Sequence, residues 1–95
     1  MYKLETKKLS FEDYEILRLA GFDFETVLTF EDEEEIRNMS EVIGYHKAAK
    51  IVNAYGWAEA QALSNEYGID EPLANIESVA SLIILRLIEE HITRG

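Results

Sequence analysis

Apolar residues crowd the last quarter of the chain. From Val79 to Ile88 only Ser81 and Arg86 interrupt them, and a helix that is apolar nearly all round belongs in a core rather than on a surface. Leu82–Ile88 is β-branched enough to suit a buried strand, and periodicity cannot separate the two over so short a run. The flanks favour a helix. Asn75 suits an N-cap, Glu77 falls in the first turn, and His91 and Arg94 stand near the end, where cations suit the helix dipole. A membrane span needs roughly 20 apolar residues, and this run is too short and contains an arginine. The pattern predicts a buried helix over 75–92, the hub for the other elements.

Upstream the periods are shorter. Tyr2, Leu4 and Thr6 alternate with Lys3, Glu5 and Lys7, which predicts an edge strand or an extended arm over 2–8. Ser10 with Asp13 three residues on reads as a capping box with Asp in place of Glu. Phe11, Tyr14, Ile16, Leu17, Leu19 and Ala20 form the apolar stripe of the helix that follows, with Gly21 at C′ and Phe22 as the contact beyond it. Phe22–Phe30 alternates like a strand, yet Asp23 could cap a short helical turn. No hairpin turn lies nearby, so a helical or irregular segment is the expectation.

Thr29 with Asp32 is a second capping signal, which places Glu31–Glu35 in the first turns of a helix with Phe30, Ile36 and Met39 inward. Ser40 either continues that helix or caps the next. Over Glu41–Ala54, Val42, Tyr45, Ala49 and Val52 recur at helical spacing with Lys47 and Lys50 outside, and Gly44 and the alanines allow close helix approach. Tyr55-Gly56 is a turn. Trp57, Ala60, Leu63 and Tyr67 mark a further helix closed by Gly68 and Ile69, and Asp70-Glu71-Pro72 turns into the hub, proline being tolerated at a helix start.

The fold class expected is mainly α: a single domain over 1–95, a compact bundle of four to five short helices around the buried C-terminal helix, with a small N-terminal strand element. The alternative is α+β, with 2–8 and 22–30 paired. Hydrophobic residues make up 47% of the 95 positions, enough for a folded core. Met1–Lys8 has no apolar stretch of the signal-peptide kind. The chain has no cysteine, which rules out disulfides, thiolate metal sites and thiol catalysis and fits a cytoplasmic protein.

Charge changes the picture most. The net charge is −10, and residues 11–41 hold eleven acids against Arg18 and Arg37 alone. Such a field repels nucleic acid and anionic membranes and attracts basic surfaces. Candidate chemistry is sparse beside it. His46 and His91 have no second ligand at helical spacing, so ordinary surface or helix-end roles are expected, and neither a metal nor a cofactor is implied. The run Glu31-Asp32-Glu33-Glu34-Glu35 lacks the alternation and the glycine of an EF-hand. No Gly-x-Ser-x-Gly, Walker or Gly-x-Gly-x-x-Gly spacing occurs, and no enzyme is expected. Lys47–Glu66 has the outline of a helix-turn-helix, but its second helix carries Glu59 and Glu66 and no base, so it reads as a structural hairpin.

The acids themselves are either a solvated, helix-capping face or a surface for a basic partner. Acids at each helical turn, Glu31, Glu34 or Glu35, and Glu41, would repeat every 5–6 Å or so, a scale comparable to duplex phosphates. Carboxylates so placed could occupy arginine and lysine sites meant for DNA. In size, acidity and lack of catalytic residues the chain resembles the small inhibitors of phages and mobile elements, the anti-CRISPR and antirestriction proteins. Several such families act as DNA mimics. The resemblance implies a non-enzymatic inhibitor of a nucleic-acid-binding defence enzyme such as a CRISPR effector, with Glu31, Asp32, Glu33, Glu34, Glu35 and Glu41 as contacts. Its partner would be a basic nucleic-acid-binding protein, with no direct binding of nucleic acid or membrane. The alternative is a small assembly module in which the apolar hub is shared with a second copy as a helical homodimer.

Overall fold

The computed structural model describes residues 1–22 and 27–94, with Arg94 described by its backbone alone. Five helices and a small antiparallel sheet make up these residues. The hub forms as expected: α5 spans Ile76–His91 and buries Ile76, Val79, Ala80, Ile83, Ile84, Leu87 and Ile88. Its most extensive partner is α3 (Tyr45–Tyr55), and it also packs against α1 (Phe11–Leu19), α4 (Trp57–Glu66), α2 (Glu33–Met39) and the first strand. Ala48 on α3 and Ala80 on α5 are both fully buried, small side chains of the kind that let two helices approach closely. Asn75 stands at the N-cap position, but its side-chain amide donates backward to the Glu71 carbonyl at 3.0 Å and bonds no helix N–H. Pro72 lies in the turn ahead of α5, not in its first turn.

The sheet is where the structure departs from expectation. β1 (Tyr2–Glu5) is the central strand, flanked antiparallel by β2 (Val27–Phe30) and β3 (Ile92–Arg94). Tyr2 faces Phe30 and Leu4 faces Leu28 on one side, while Leu4 faces Ile92 on the other. The helical or irregular expectation for 22–30 is therefore wrong at 27–30, where the pairing follows the α+β alternative; the suggested cap at Asp23 lies outside the described residues. Missing hairpin chemistry was no bar, because β1 reaches β2 through α1 rather than a tight turn. β3 runs on from α5 with no loop, so Arg94 belongs to a strand rather than to the helix end. Period-two alternation divides the sheet into two faces. Leu4 and Phe30 are buried and Tyr2, Leu28 and Ile92 pack on the core, whereas Lys3, Thr29 and Thr93 face solvent. Residues 6–8 of the predicted strand turn instead into a short 3-10 helix, Thr6–Lys8.

Helix ends were the most legible feature. Ser10 Oγ accepts from the Asp13 backbone N–H at 3.1 Å. At the other end of α1, Gly21 N–H donates to Arg18 O and Phe22 N–H to Leu17 O, both at 3.0 Å. These are the two bonds of a Schellman closure, which needs a left-handed residue at C′. Gly21 supplies it with φ of 99°, and Phe22 is buried as its apolar contact. The same pair of bonds recurs at Gly68 and Ile69. Gly56 (φ 107°) ends α3 and starts α4 in a single residue, a conformation that an L side chain rarely adopts.

Three apolar stripes are rotated from expectation. In α1 Ile16 and Leu17 are buried, but Phe11 is 75% exposed. The helix predicted from Glu41 begins only at Tyr45, after Gly44, and its buried residues are Ala48, Ile51 and Val52; Tyr45 is 57% exposed. In α4 Ala60, Leu63 and Ser64 point inward, Ser64 satisfying its hydroxyl on the Ala60 carbonyl at 2.8 Å, while Trp57 and Tyr67 lie at the surface.

If α5 is the element on which the others depend, Ile84→Ala should cost about 3 kcal/mol through lost burial and a residual cavity. Ile43→Ala, at a position 84% exposed, should stay within about 0.5 kcal/mol of the parent. Urea unfolding midpoints with unchanged slopes would measure both. Equal effects would deny α5 that role.

Candidate functional site

The acid run begins where β2 ends. Asp32, not Thr29, is the N-cap of α2, three residues later than the sequence signal suggested; Thr29 lies within β2. Asp32 Oδ1 accepts from the Glu35 N–H at 2.9 Å, and Glu35 Oε2 accepts from the Glu31 N–H at 2.7 Å. This is a reciprocal capping box with the returning carboxylate shifted by one residue. Thr29-x-x-Asp32 and Asp32-x-x-Glu35 have the same spacing, and pairing of 27–30 with β1 removes the first from competition.

The six candidate residues therefore divide. Asp32 and Glu35 hold the helix N-terminus closed. Glu33 points an oxygen at the Tyr2 hydroxyl, 3.5 Å away, the outer limit of a hydrogen bond. Glu31, Glu34 and Glu41 are exposed, and no ion pair or side-chain hydrogen bond joins their carboxylates to another described residue. Only Glu33–Glu35 are helical; Glu31 precedes α2, and Glu41 follows its end at Ser40, whose Oγ donates to the Ile36 carbonyl at 2.7 Å. The turn-by-turn recurrence expected for Glu31, Glu34 or Glu35, and Glu41 as helical acids is therefore not formed. What they share is one stretch of chain, from the end of β2 to the connection before α3, in which Arg37 is the single base.

Some acids elsewhere are tied to bases. Lys8 lies 3.2 Å from Glu5, and its hydrogen bond and charge hold the Glu5 carboxyl below the usual carboxylate range. Arg86 joins Glu90 at 3.0 Å and Glu66 at 3.2 Å, and the Glu90 hydrogen bond, with the charge of Glu66, raises the guanidinium further. Arg18 meets Glu15 at 3.4 Å. Burial pushes the Tyr55 phenol up, with the nearby Glu90 charge adding to it. Each of these perturbed groups is part of the packing between helices or of a strand end, away from 31–41.

His91 is more engaged than its sequence neighbours suggest. Its Nε2 lies 3.0 Å from Asp13 Oδ2, half-buried, joining α1 to the end of α5. A contact across 78 positions leaves no trace in local spacing. It also explains why the Ser10–Asp13 box is one-sided: the Asp13 carboxylate faces His91. Among the described residues no group of three His, Cys, Asp or Glu side chains is placed to hold a metal ion, and no helix is long and apolar enough to cross a membrane.

Two clefts adjoin the acids. One, of about 300 Å³, lies between α2, the start of β1 and the α5–β3 junction. The other, of about 500 Å³, exposes Leu82 and Leu85 of α5 beside Tyr67 and Ile69, with Arg37 and Glu41 on its rim.

The division of the acids has a measurable consequence. Asp32→Ala should lower stability by about 1 kcal/mol, the usual loss for an N-cap, whereas Glu34→Gln should stay within about 0.5 kcal/mol. Thermal melts of the two variants would check it; a cost at Glu34 equal to that at Asp32 would make the whole run structural. No protein-family model, curated protein or solved structure matches the chain.

Proposed function

We propose that the chain is a non-enzymatic, acidic protein-binding inhibitor that works in the cytoplasm and engages the basic groove of a nucleic-acid-binding protein, a defence enzyme such as a CRISPR effector being the kind of target that fits. The observation that carries this reading is the density of acids along residues 31–41. Glu31, Glu34 and Glu41 stand exposed with no cation bound to them among the described residues, while Asp13, Glu5, Glu15, Glu66 and Glu90 are each paired. Glu12, Glu59, Asp70, Glu71, Glu77 and Glu89 also lack an ion pair among the described residues, but residues 31–41 hold six acids with Arg37 as their one base, so negative charge is densest along this stretch of the chain. A groove lined by arginine and lysine gains from such a surface the counter-charge it otherwise takes from phosphates, and encounter is accelerated by the long-range field. The stretch follows the irregular path β2–α2–connection, so its support is local charge density rather than a phosphate-like repeat.

The test uses three exposed acids that leave the cap intact. The tagged protein and its Glu31→Gln/Glu34→Gln/Glu41→Gln variant would be used to capture partners from bacterial lysate at low and high salt, with duplex DNA as competitor. A nucleic-acid enzyme held by the parent, released by salt and by DNA, and bound at least tenfold more weakly by the variant supports the proposal. Undiminished capture by the variant would sink it.

A second reading, the helical homodimer, is favoured by the half-buried Leu82 and Leu85, which leave part of α5 open to solvent in the larger cleft. A dimer that buries this face would show a melting temperature that rises with protein concentration. A constant melting temperature together with monomeric mass at micromolar concentration would discard it.

A further inference from the structure

The smaller cleft brings together residues that the sequence scatters. Its lining comprises Tyr2 from β1, Glu33, Ile36 and Arg37 from α2, Glu89 from α5 and Ile92 from β3. Ile36 is buried, and Tyr2 and Ile92 are half-buried on the inward side of the sheet, so three apolar surfaces form the floor. The charged groups stand around it. Glu90, the neighbour of Glu89, is occupied by Arg86, but Glu89 has no ion pair with a described residue. Arg37 lies one turn beyond Glu33, in the order that favours an i,i+4 pair, yet the two form no ion pair. Instead the Glu33 carboxylate is turned toward the Tyr2 hydroxyl.

We propose that this cleft receives one arginine side chain of the basic partner. The volume of about 300 Å³ is at the lower end for ligand pockets and suits a single long side chain. Two carboxylates and one guanidinium leave the rim one negative charge in excess, so one incoming cation brings it to neutrality. Arginine meets the other demands. Its methylene stem covers Ile36 and Ile92, its weakly hydrated plane lies against the Tyr2 ring, and its fork reaches carboxylates that approach from two elements. A lysine would supply the charge but neither the plane nor the fork. Arginines seated in such partly desolvated pockets dominate the energetics of many interfaces. The inference rests on the acidic-face reading above and gives that face an anchor, with Glu89 as a contact outside the acid run.

The experiment is a titration of the isotope-labelled full chain with nona-arginine and nona-lysine peptides at low salt, followed by amide chemical shifts, with Glu89→Gln as the variant. Glu89 is exposed and unpaired among the described residues, so the substitution leaves the fold intact, which the amide spectrum itself verifies. The expected result is that nona-arginine shifts the amides of Tyr2, Ile36, Glu89 and Ile92, binds more tightly than nona-lysine, and is weakened about tenfold by Glu89→Gln, the loss of one charge-assisted contact. If nona-arginine binds but shifts only the amides of 31–35 and 41, and Glu89→Gln changes nothing, the anchor is overturned while the acidic face stands. If nona-lysine shifts the cleft amides with equal affinity, the preference for a guanidinium is overturned. If neither peptide binds, the acidic-face reading fails and the anchor fails with it.

Discussion

Burial of α5 is the constraint on which the rest of the structure depends. Val79, Ala80, Ile83, Ile84 and Ile88 are almost completely withdrawn from solvent, and for a domain of this size the apolar area they remove from water is a large share of the available driving force. α3, α4, α1 and α2 all pack against this one helix, and α1 and α4 pack on α3 as well. β3 then extends the constraint into the sheet. It continues from His91 with no loop, so the direction in which α5 ends determines where Ile92 meets Leu4. The contact of His91 with Asp13 fixes the same end of α5 against α1. Sheet and helices are thereby joined at the C-terminus of a single helix.

Local rules made most of the helices legible. Ser10, Gly21 and Gly68 each announce a helix end through a bond pattern confined to a few neighbours, and each forms as expected. The α5 run was legible because only Ser81 and Arg86 interrupt its apolar residues from Val79 to Ile88. What local rules could not supply was pairing. β1 joins β2 across α1 and joins β3 across nearly the whole chain, and no turn chemistry marks either partnership. The alternation at 22–30 was visible, but alternation gives a strand no partner; the partner came from the core, which needed Leu28 and Phe30 on one face. Rotation of the stripes in α1 and α3 has a related cause. Phe11 and Tyr45 fit a helical period as well as their buried neighbours do, and the tertiary packing of α1, α3 and α5 decides which side of each helix faces inward.

The candidate site was legible as composition and illegible as geometry. Six acids between Glu31 and Glu41 are plain in the sequence, yet Asp32 and Glu35 proved to be engaged in closing α2. Glu41 lies ahead of α3, the helix expected to begin with it. Glu89 could not have been grouped with Glu33 from the sequence, since only the α5–β3 junction brings it beside α2. Its immediate neighbour Glu90 is directed to Arg86, and adjacent helical residues diverge, so the two carboxylates serve different surroundings.

The acids left over bear on function through their cost. Negative charge near the start of α2 is favourable with respect to the helix dipole, and two carboxylates, Asp32 on the Glu35 N–H and Glu35 on the Glu31 N–H, make the capping bonds there. Beyond that number each further acid adds repulsion to a domain that already carries −10, and self-repulsion opposes the compact state. Glu31 and Glu41 lie off the helix, where the dipole offsets little, and Arg37 is the one base nearby in sequence. Folding alone therefore gives no physical reason for charge at these positions, and solubility would be served as well by acids spread over the molecule. A basic partner would supply the missing compensation, since the repulsion that weakens the free domain becomes attraction once opposite charge is brought to the same surface.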